Sequence, residues 1–283
     1  MAVASSERVR RDLVRLVRQD LGVREFALQA PRALANAVPF DGVCVLTMDP
    51  ATHVPTGDVV ENGLPDVAMA RMAEIELSGT DVNTFAALAH TEQHTASLSA
   101  ATGGDLDRSR RHRELRRPHG LGDELRAALV SDHTTWGALT LLRGRDRPDF
   151  SASDTAFVAA ATDVLADGLR RATLRDACAG ARIERGIGLV VLGADGSLVA
   201  VDPVAERWLG LLPEGGALPV AVTAVAYQAR RIATGQAEVR TVARARVRTV
   251  TGQWLVLHAR TLPGPDADTT VVVEPPRCTR SRP

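Results

Sequence analysis

The chain has 283 residues, 45% hydrophobic but only 3% aromatic, and it balances 34 basic against 34 acidic residues. That length suits two aliphatic-cored domains of about 100–150 residues each, and zero net charge leaves no overall field drawing it to nucleic acid or membrane. Every basic residue is arginine, which removes the P-loop lysine, the Schiff-base lysine and the kinase-type catalytic lysine.

The first predicted element is a helix over 5–21, with Val9, Leu13, Leu16, Val17 and Leu21 on one face and Ser5 or Ser6 as its cap. Arg8, Arg10, Arg11, Arg15 and Arg18 fill the other face, interrupted by Glu7, Asp12 and Asp20. Such mixed charge fits a helix docked on the body or on a second protomer better than a membrane or nucleic-acid helix. The N-terminus lacks a signal-peptide core, and no run of about 18 apolar residues could span a bilayer, so a cytoplasmic protein is expected. A second helical stretch covers 23–38, where Pro31 either kinks it or begins a new turn.

DGVCVLTMD (41–49) is a strand, followed by the turn-rich PATHVPTGD and a second strand. Asp66 can cap a helix to about Leu77 that ends at Gly79, and Asp81 can cap another through VNTFAALAH. Thr95–Ser99 is a short strand. Cys44, Cys178 and Cys278 lie far apart, which suits a reducing compartment and no disulfide framework. Cys44, on its strand, reads as a core residue rather than a redox sensor.

Residues 108–117, RSRRHRELRR, hold six arginines against Glu114, with Ser109 as a cap and Pro118-His119-Gly120 as the stop. Taken alone, Leu121, Leu125, Ala128 and Leu129 could form a helical stripe. The polar SDHTT and the apolar WGALTLLR that follow favour a hairpin instead. Ser151 with Asp154 resembles a capping box. It opens one long helix to about Cys178, lined by Phe157, Ala161, Val164, Leu165, Leu169 and Ala172, of a length suited to a linker or a dimer seam.

Gly180–Gly186 marks a domain boundary. Beyond it IGLVVLGADGSLVAVD reads as strand, turn, strand, and Asp202-Pro203 as the cap and first residue of the helix AERWLGLL, closed by Pro213. A helix over 218–233, two strands joined across Thr251-Gly252-Gln253, and TTVVVEP complete a second α+β unit. Arg244, Arg246 and Arg248 alternate on one face, read as solvated rather than as a binding groove.

Catalytic constellations are sparse. His90-Thr-Glu92-Gln-His94 places two histidines four apart, but its glutamate stands one place too late for a zincin and no Cys-x-x-Cys exists for a deaminase, so no metal site is expected. Gly186-Ile-Gly188 precedes a strand rather than opening a helix, the wrong context for a dinucleotide fingerprint. Asp123 and Glu124 are adjacent, so on a strand they face opposite sides and form no acid–base pair. Arg108–Arg117 could take an anionic ligand or nucleic acid, yet without interleaved aromatics a solvated loop-helix is preferred. No catalytic residue is assigned.

TASLSAATGGDLDRSRRHRELRRPHGLGDELRAALV, WGALTLLR and RPDFSASD together resemble the GAF-type sensor domain of actinobacterial LuxR-type helix-turn-helix regulators. GLVVLGADGSLVAVDPVAERWLG and RTVTGQWLVLHARTL resemble the PAS-like domain that follows in those regulators. The resemblance implies an N-terminal helix (1–22), a GAF-like domain with an antiparallel sheet and flanking helices (23–179), a PAS-like domain (180–275) and a disordered tail (276–283). It implies a non-enzymatic small-molecule sensor in transcription control, working as a homodimer. It names no ligand-binding residue and no cofactor. The family's helix-turn-helix would follow the last strand, where the chain instead reads VVVEPPRCTRSRP, so direct DNA binding is not expected from this chain. The alternatives are a scaffold dimerising through its helices without a ligand, and an enzyme acting on an anionic substrate.

Overall fold

The computed structural model describes residues 2–50, 52–178, 186–212, 218–237, 242–250, 253–262 and 268–275. Helices and antiparallel strands combine into two five-stranded sheets, the mixed α+β character that the sequence predicts. One sheet has the order β2-β1-β5-β4-β3, from β1 (Gly42–Met48), β2 (Pro55–Glu61), β3 (Thr95–Ser97), β4 (Leu121–Ser131) and β5 (Thr134–Gly144). The other runs β7-β6-β10-β9-β8, from β6 (Gly188–Leu192), β7 (Leu198–Val201), β8 (Arg244–Arg248), β9 (Trp254–Thr261) and β10 (Thr269–Glu274). Renumbered within each sheet, both orders read 2-1-5-4-3.

The long hairpin forms as expected, and the helical stripe loses. β4 and β5 pair from Ser131↔Thr134 down to Leu121↔Gly144. Asp132 and His133 both take positive φ, 51° and 58°, the two-residue turn whose twist matches the strands. Pleating then sorts the side chains. Val43, Val45, Leu125, Ala127, Leu129, Leu139 and Leu141 face three helices: α1 (Ala2–Val17), α2 (Val23–Leu34) and α7 (Thr162–Cys178). Val9, Leu13, Leu16, Phe26, Leu34, Leu165 and Leu169 complete that core. The N-terminal helix is therefore docked on the body, but it starts at Ala2, ahead of the expected caps Ser5 and Ser6. Helix α2 runs through Pro31 without breaking.

The predicted single helix over 151–178 is two. The Ser151–Asp154 capping box opens α6 (Ala152–Ala159), and α7 starts afresh at Thr162. Between them Ala161 N turns back to Val158 O at 2.9 Å and the Thr162 hydroxyl donates to Ala159 O at 2.8 Å. These tighter contacts let Val158 and Ala161 both reach the core. The apolar face read as a dimer seam packs on α1, α2, β4 and β5 of its own unit. Gly168 permits that approach, since a Cβ there would stand 2.2 Å from Phe26 Cζ.

The sheet's other face is covered by α3 (Met69–Ser78), α4 (Phe85–Ala89) and the turns of 106–119, and α5 (Leu98–Thr102) follows β3 at the sheet edge. Helix α3 ends at Gly79 as predicted, with a 3-10 turn over Asp66–Ala68 before it. Strand β3 is shorter than expected, because Ser97 already caps α5.

In the second unit Asp202 caps α8 (Pro203–Leu209), accepting from Val204 N and Ala205 N at 2.8 and 2.7 Å. Helix α9 (Val220–Ala233) lies on β8, β9 and β10 and buries Val222 and Val225 with Val190, Leu192, Trp208, Leu255, Leu257 and Val271. It also packs on α3 and β2 of the first unit, and Val54 and Leu77 join the second core. Arg231 Nη1 donates to Leu77 O. Arg246 donates to buried Asp49 Oδ2 through its backbone N at 2.6 Å and through Nε at 3.3 Å, and Arg248 lies 3.4 Å from Asp176. Arg244 and Arg246 are exposed, as the reading of a solvated face expects, although Arg246 also meets Asp49; Arg248 departs from it, partly buried beside Asp176 of the first unit. The expected boundary at 180–185, Pro213, the Thr251-Gly252 junction, Cys278 and the tail over 276–283 lie outside the described residues.

Candidate functional site

The unusual chemistry sits on the α3/α4 face of the first sheet. Near the hairpin turn this face is apolar, with Met48, Phe85, Leu88, Ala128 and Ala138 packed together. Farther along it turns ionic. Pleating that sends Leu125 to the helical core sends Glu124 and Arg126 to this side, across from Leu142 and Thr140 of β5; Cys44 of β1 stands beyond Thr140.

Glu124 is 0% exposed and is met by two arginines of the 108–117 stretch. Arg111, also 0% exposed, donates through Nε to Glu124 Oε1 at 2.5 Å, and Arg116 Nε lies 3.0 Å from Oε2. The positions of these two arginines come from a π-helical turn over His112–Arg116, entered through Ser109, whose hydroxyl accepts from His112 N at 3.3 Å. Such a wide turn lets residues five apart reach one carboxylate. Asp81 anchors the start of the turn, accepting from Arg110 N, Arg111 N, Arg111 Nη1 and the Ser109 hydroxyl at 2.9–3.0 Å. Asp81 is thus not the cap predicted for α4. Thr84 takes that role, accepting from Ala87 N.

Arg126 completes the cluster. It donates to Glu76 Oε2 of α3 and to Asn83 O, both at 2.7 Å, and its guanidinium lies 3.6 Å over the Phe85 ring. Arginine suits this work because its planar fork pairs and stacks at once. Three guanidiniums face Glu124, Asp81 and Glu76, so the cluster is neutral as a set. Burial alone would raise the Glu124 pKa, but Arg111, Arg116 and Arg126 overturn that and hold it down to about 2. Arg116 goes down, chiefly through burial, despite Glu124. Its ion pair with Glu124 leaves the outer guanidinium nitrogens without a described protein partner. Burial, with Asp58 adding to it, pushes the half-buried Cys44 thiol up to about 12, which fits the core role read for it.

On the opposite side of β4, Asp123 is 1% exposed and accepts from Ser99 N, the Ser99 hydroxyl and Phe150 N at 2.7–2.9 Å. Asp123 and Glu124 do face opposite ways. Each ties a different loop to the same strand.

No protein-family model and no curated protein matches the chain. Among solved structures it is similar to the GAF domain/HD domain protein from Geobacter sulfurreducens, at 19% identity and TM-score 0.38, over 54% of this chain and 95% of that one. The phycoerythrobilin-bound GAF domain from a cyanobacterial phytochrome matches at 15% and 0.38, over 60% and 96%. A bacteriophytochrome from R. palustris matches at 12% and 0.38 over 95% of this chain but 62% of its own, so the chain spans less than two thirds of it. The first two of these structural neighbours are GAF domains by name. A TM-score of 0.38 carries no function across.

The other sequence candidates separate. Helix α4 ends at Ala89, and His94, at φ 52°, turns its Nδ1 to Leu88 O at 3.2 Å. His90 and His94 therefore share no helix face, and among the described residues no group of three potential ligands could hold a metal. Gly186 and Gly188 lead into β6, as expected. Arg108–Arg117 is the largest revision: Arg111 and Arg116 are buried ion-pair partners rather than part of a solvated loop-helix. A signal for this did exist, because Glu124 and Arg126 stand two residues apart, on one face of a strand that is buried from Gly122 to Leu129, and need partners there. Among the described residues no helix is long and apolar enough to cross a membrane.

Proposed function

We propose that the chain is a tandem sensory module, a GAF-like unit followed by a PAS-like unit, that acts by binding rather than catalysis in transcription control. In this reading it is a cytoplasmic homodimer that hands its signal to a partner, with no direct DNA contact by this chain. The observation that carries it is the link from the ionic face to the second unit. Arg126 in the buried cluster is held by Glu76 of α3, and the next residue, Leu77, accepts from Arg231 of α9 and packs into the second core. A ligand that alters the ionic face would act directly on α3, and α3 bears on the other unit. Such a ligand shifts the output only if it favours one arrangement of this contact. Arg116, buried with its outer nitrogens open to a further acceptor, directs the expectation to an anionic group on the ligand.

Thermal shift across a library of metabolic acids and nucleotides tests the proposal. At least one stabilising compound is expected in the full chain, with the effect lost in Arg116→Ala. A flat response throughout overturns the sensory reading. It would favour a ligand-free scaffold, which one observation supports: side chains already fill the α3/α4 face, with Arg111, Glu124, Phe85 and Leu142 all buried there.

A further inference from the structure

A cleft of about 340 Å³ opens where the β4–β5 hairpin ends, beside the 104–107 loop. Its wall includes Asp105, Asp107, His112 and Arg117, with Arg145 and Arg147 from the segment after β5. Arg111 and Arg116 of the same π-turn reach Glu124, whereas His112 and Arg117 line this cleft, so the two sites are separate.

Two polar groups here lack partners. His112 is 4% exposed, yet its Nδ1 has no hydrogen-bond partner, and its Nε2 lies 3.8 Å from Asp107 Oδ1, beyond hydrogen-bond reach. Asp107 Oδ1 is itself buried without a donor, while Arg117 Nη1 occupies the carboxylate's other oxygen. Buried polar atoms left open cost about 1–3 kcal/mol each, so groups of this kind call for a partner.

The charges say what kind. Asp105, Asp107 and Asp149 balance Arg117, Arg145 and Arg147, and burial lowers the His112 pKa so that its ring stays neutral. A lone anion would meet the aspartates and a lone cation the arginines. No set of three metal ligands occurs among the described residues. We propose that the cleft binds a small zwitterion of the amino-acid type, its ammonium donating to Asp107 Oδ1, its carboxylate held at the Arg145–Arg147 rim, and His112 Nδ1 completing the contact. The volume lies within the range of small-molecule sites. This site does not depend on the tandem-sensor reading and stands or falls separately.

Isothermal titration of the full chain with each proteinogenic amino acid, up to about 10 mM, tests it, followed by the decarboxylated amine and the deaminated acid of the tightest binder. One-to-one binding is expected, at least tenfold weaker for either single-charge analogue. Arg145→Glu, at an exposed position, and Asp107→Asn should each weaken binding at least tenfold, with circular dichroism confirming that each variant is folded. Equal binding of an amine or an acid overturns the ligand class. Binding unchanged by Arg145→Glu places the ligand elsewhere and overturns the site. No binding by any amino acid means the cleft holds water only, and the proposal fails.

Discussion

Glu124 is where a single residue has the most leverage. Removing its charge leaves Arg111 and Arg116 buried against a neutral group, and breaking a buried pair this way costs about 3–5 kcal/mol. Glu124→Gln is expected to lower the midpoint of urea unfolding at pH 7 accordingly. The pH dependence has a definite sign. The folded carboxyl titrates at about 2 against an ordinary 4.5, so its stabilisation is complete above pH 4.5 and is lost as pH falls from 4.5 towards 2. Asp81, also held down, acts in the same direction, whereas burial raises Asp123, whose contribution grows as pH falls. Stability measured from pH 7 to pH 2.5 should therefore drop less steeply in Glu124→Gln than in the wild type. Equal slopes would mean that Glu124 is not held ionised. Cys44 offers a second residue-scale check. With its thiol pushed up to about 12, it should react with a disulfide reagent at pH 8 at least about a hundredfold more slowly than a free cysteine, measured with Cys178 and Cys278 replaced by serine.

At the scale of elements, the first unit depends on close approach between the hairpin and its helices. Gly137 of β5 has Leu46 O and Leu169 Cδ2 at 2.2 and 2.3 Å from where a Cβ would stand. Since the oxygen belongs to the neighbouring strand, it cannot yield without disturbing the β1–β5 pairing. Gly137→Ala should destabilise by about 2 kcal/mol or more, read by thermal unfolding. The turn at the other end has room for improvement. Asp132 and His133 both hold positive φ, a conformation that Asn-Gly accepts at less cost. Asp132→Asn with His133→Gly should raise stability by up to about 1 kcal/mol. A fall would contradict the turn geometry.

Across the whole molecule, the two sheets of equal strand order meet through α9, packed on α3 and β2, and through β8 beside β2. Asp49 is 2% exposed at this junction and is reached by both the backbone and the side chain of Arg246. Asp49→Ala leaves Arg246 Nε without this carboxylate and weakens the hold of the turn after β1 on β8. Calorimetry should then resolve two unfolding transitions where the wild type gives one, because the separate cores no longer unfold together. A single unchanged transition in Asp49→Ala would show that α9 against α3 and β2 suffices for the docking.

Neighbouring residues set the local elements of this chain. The polar SDHTT between two short apolar runs favoured a hairpin, the capping box at Ser151 opened a helix, and Asp202-Pro203 started another, because these signals act between residues close along the chain. Tertiary structure alone decided which charges are buried. Arg111 and Arg116 look like members of a solvated basic run until the π-turn brings them to Glu124, and Asp81 suits the helix next to it until Arg110 and Arg111 arrive from about thirty positions away. The break between α6 and α7 is of the same kind, since helical periodicity continues through 160–161 and only the core they reach makes the tighter turn worthwhile. Partners distant in sequence leave no periodic trace, and so, although Glu124 and Arg126 on one strand face signal a need for partners, which residues meet them and where the two units join could be read only from the folded chain.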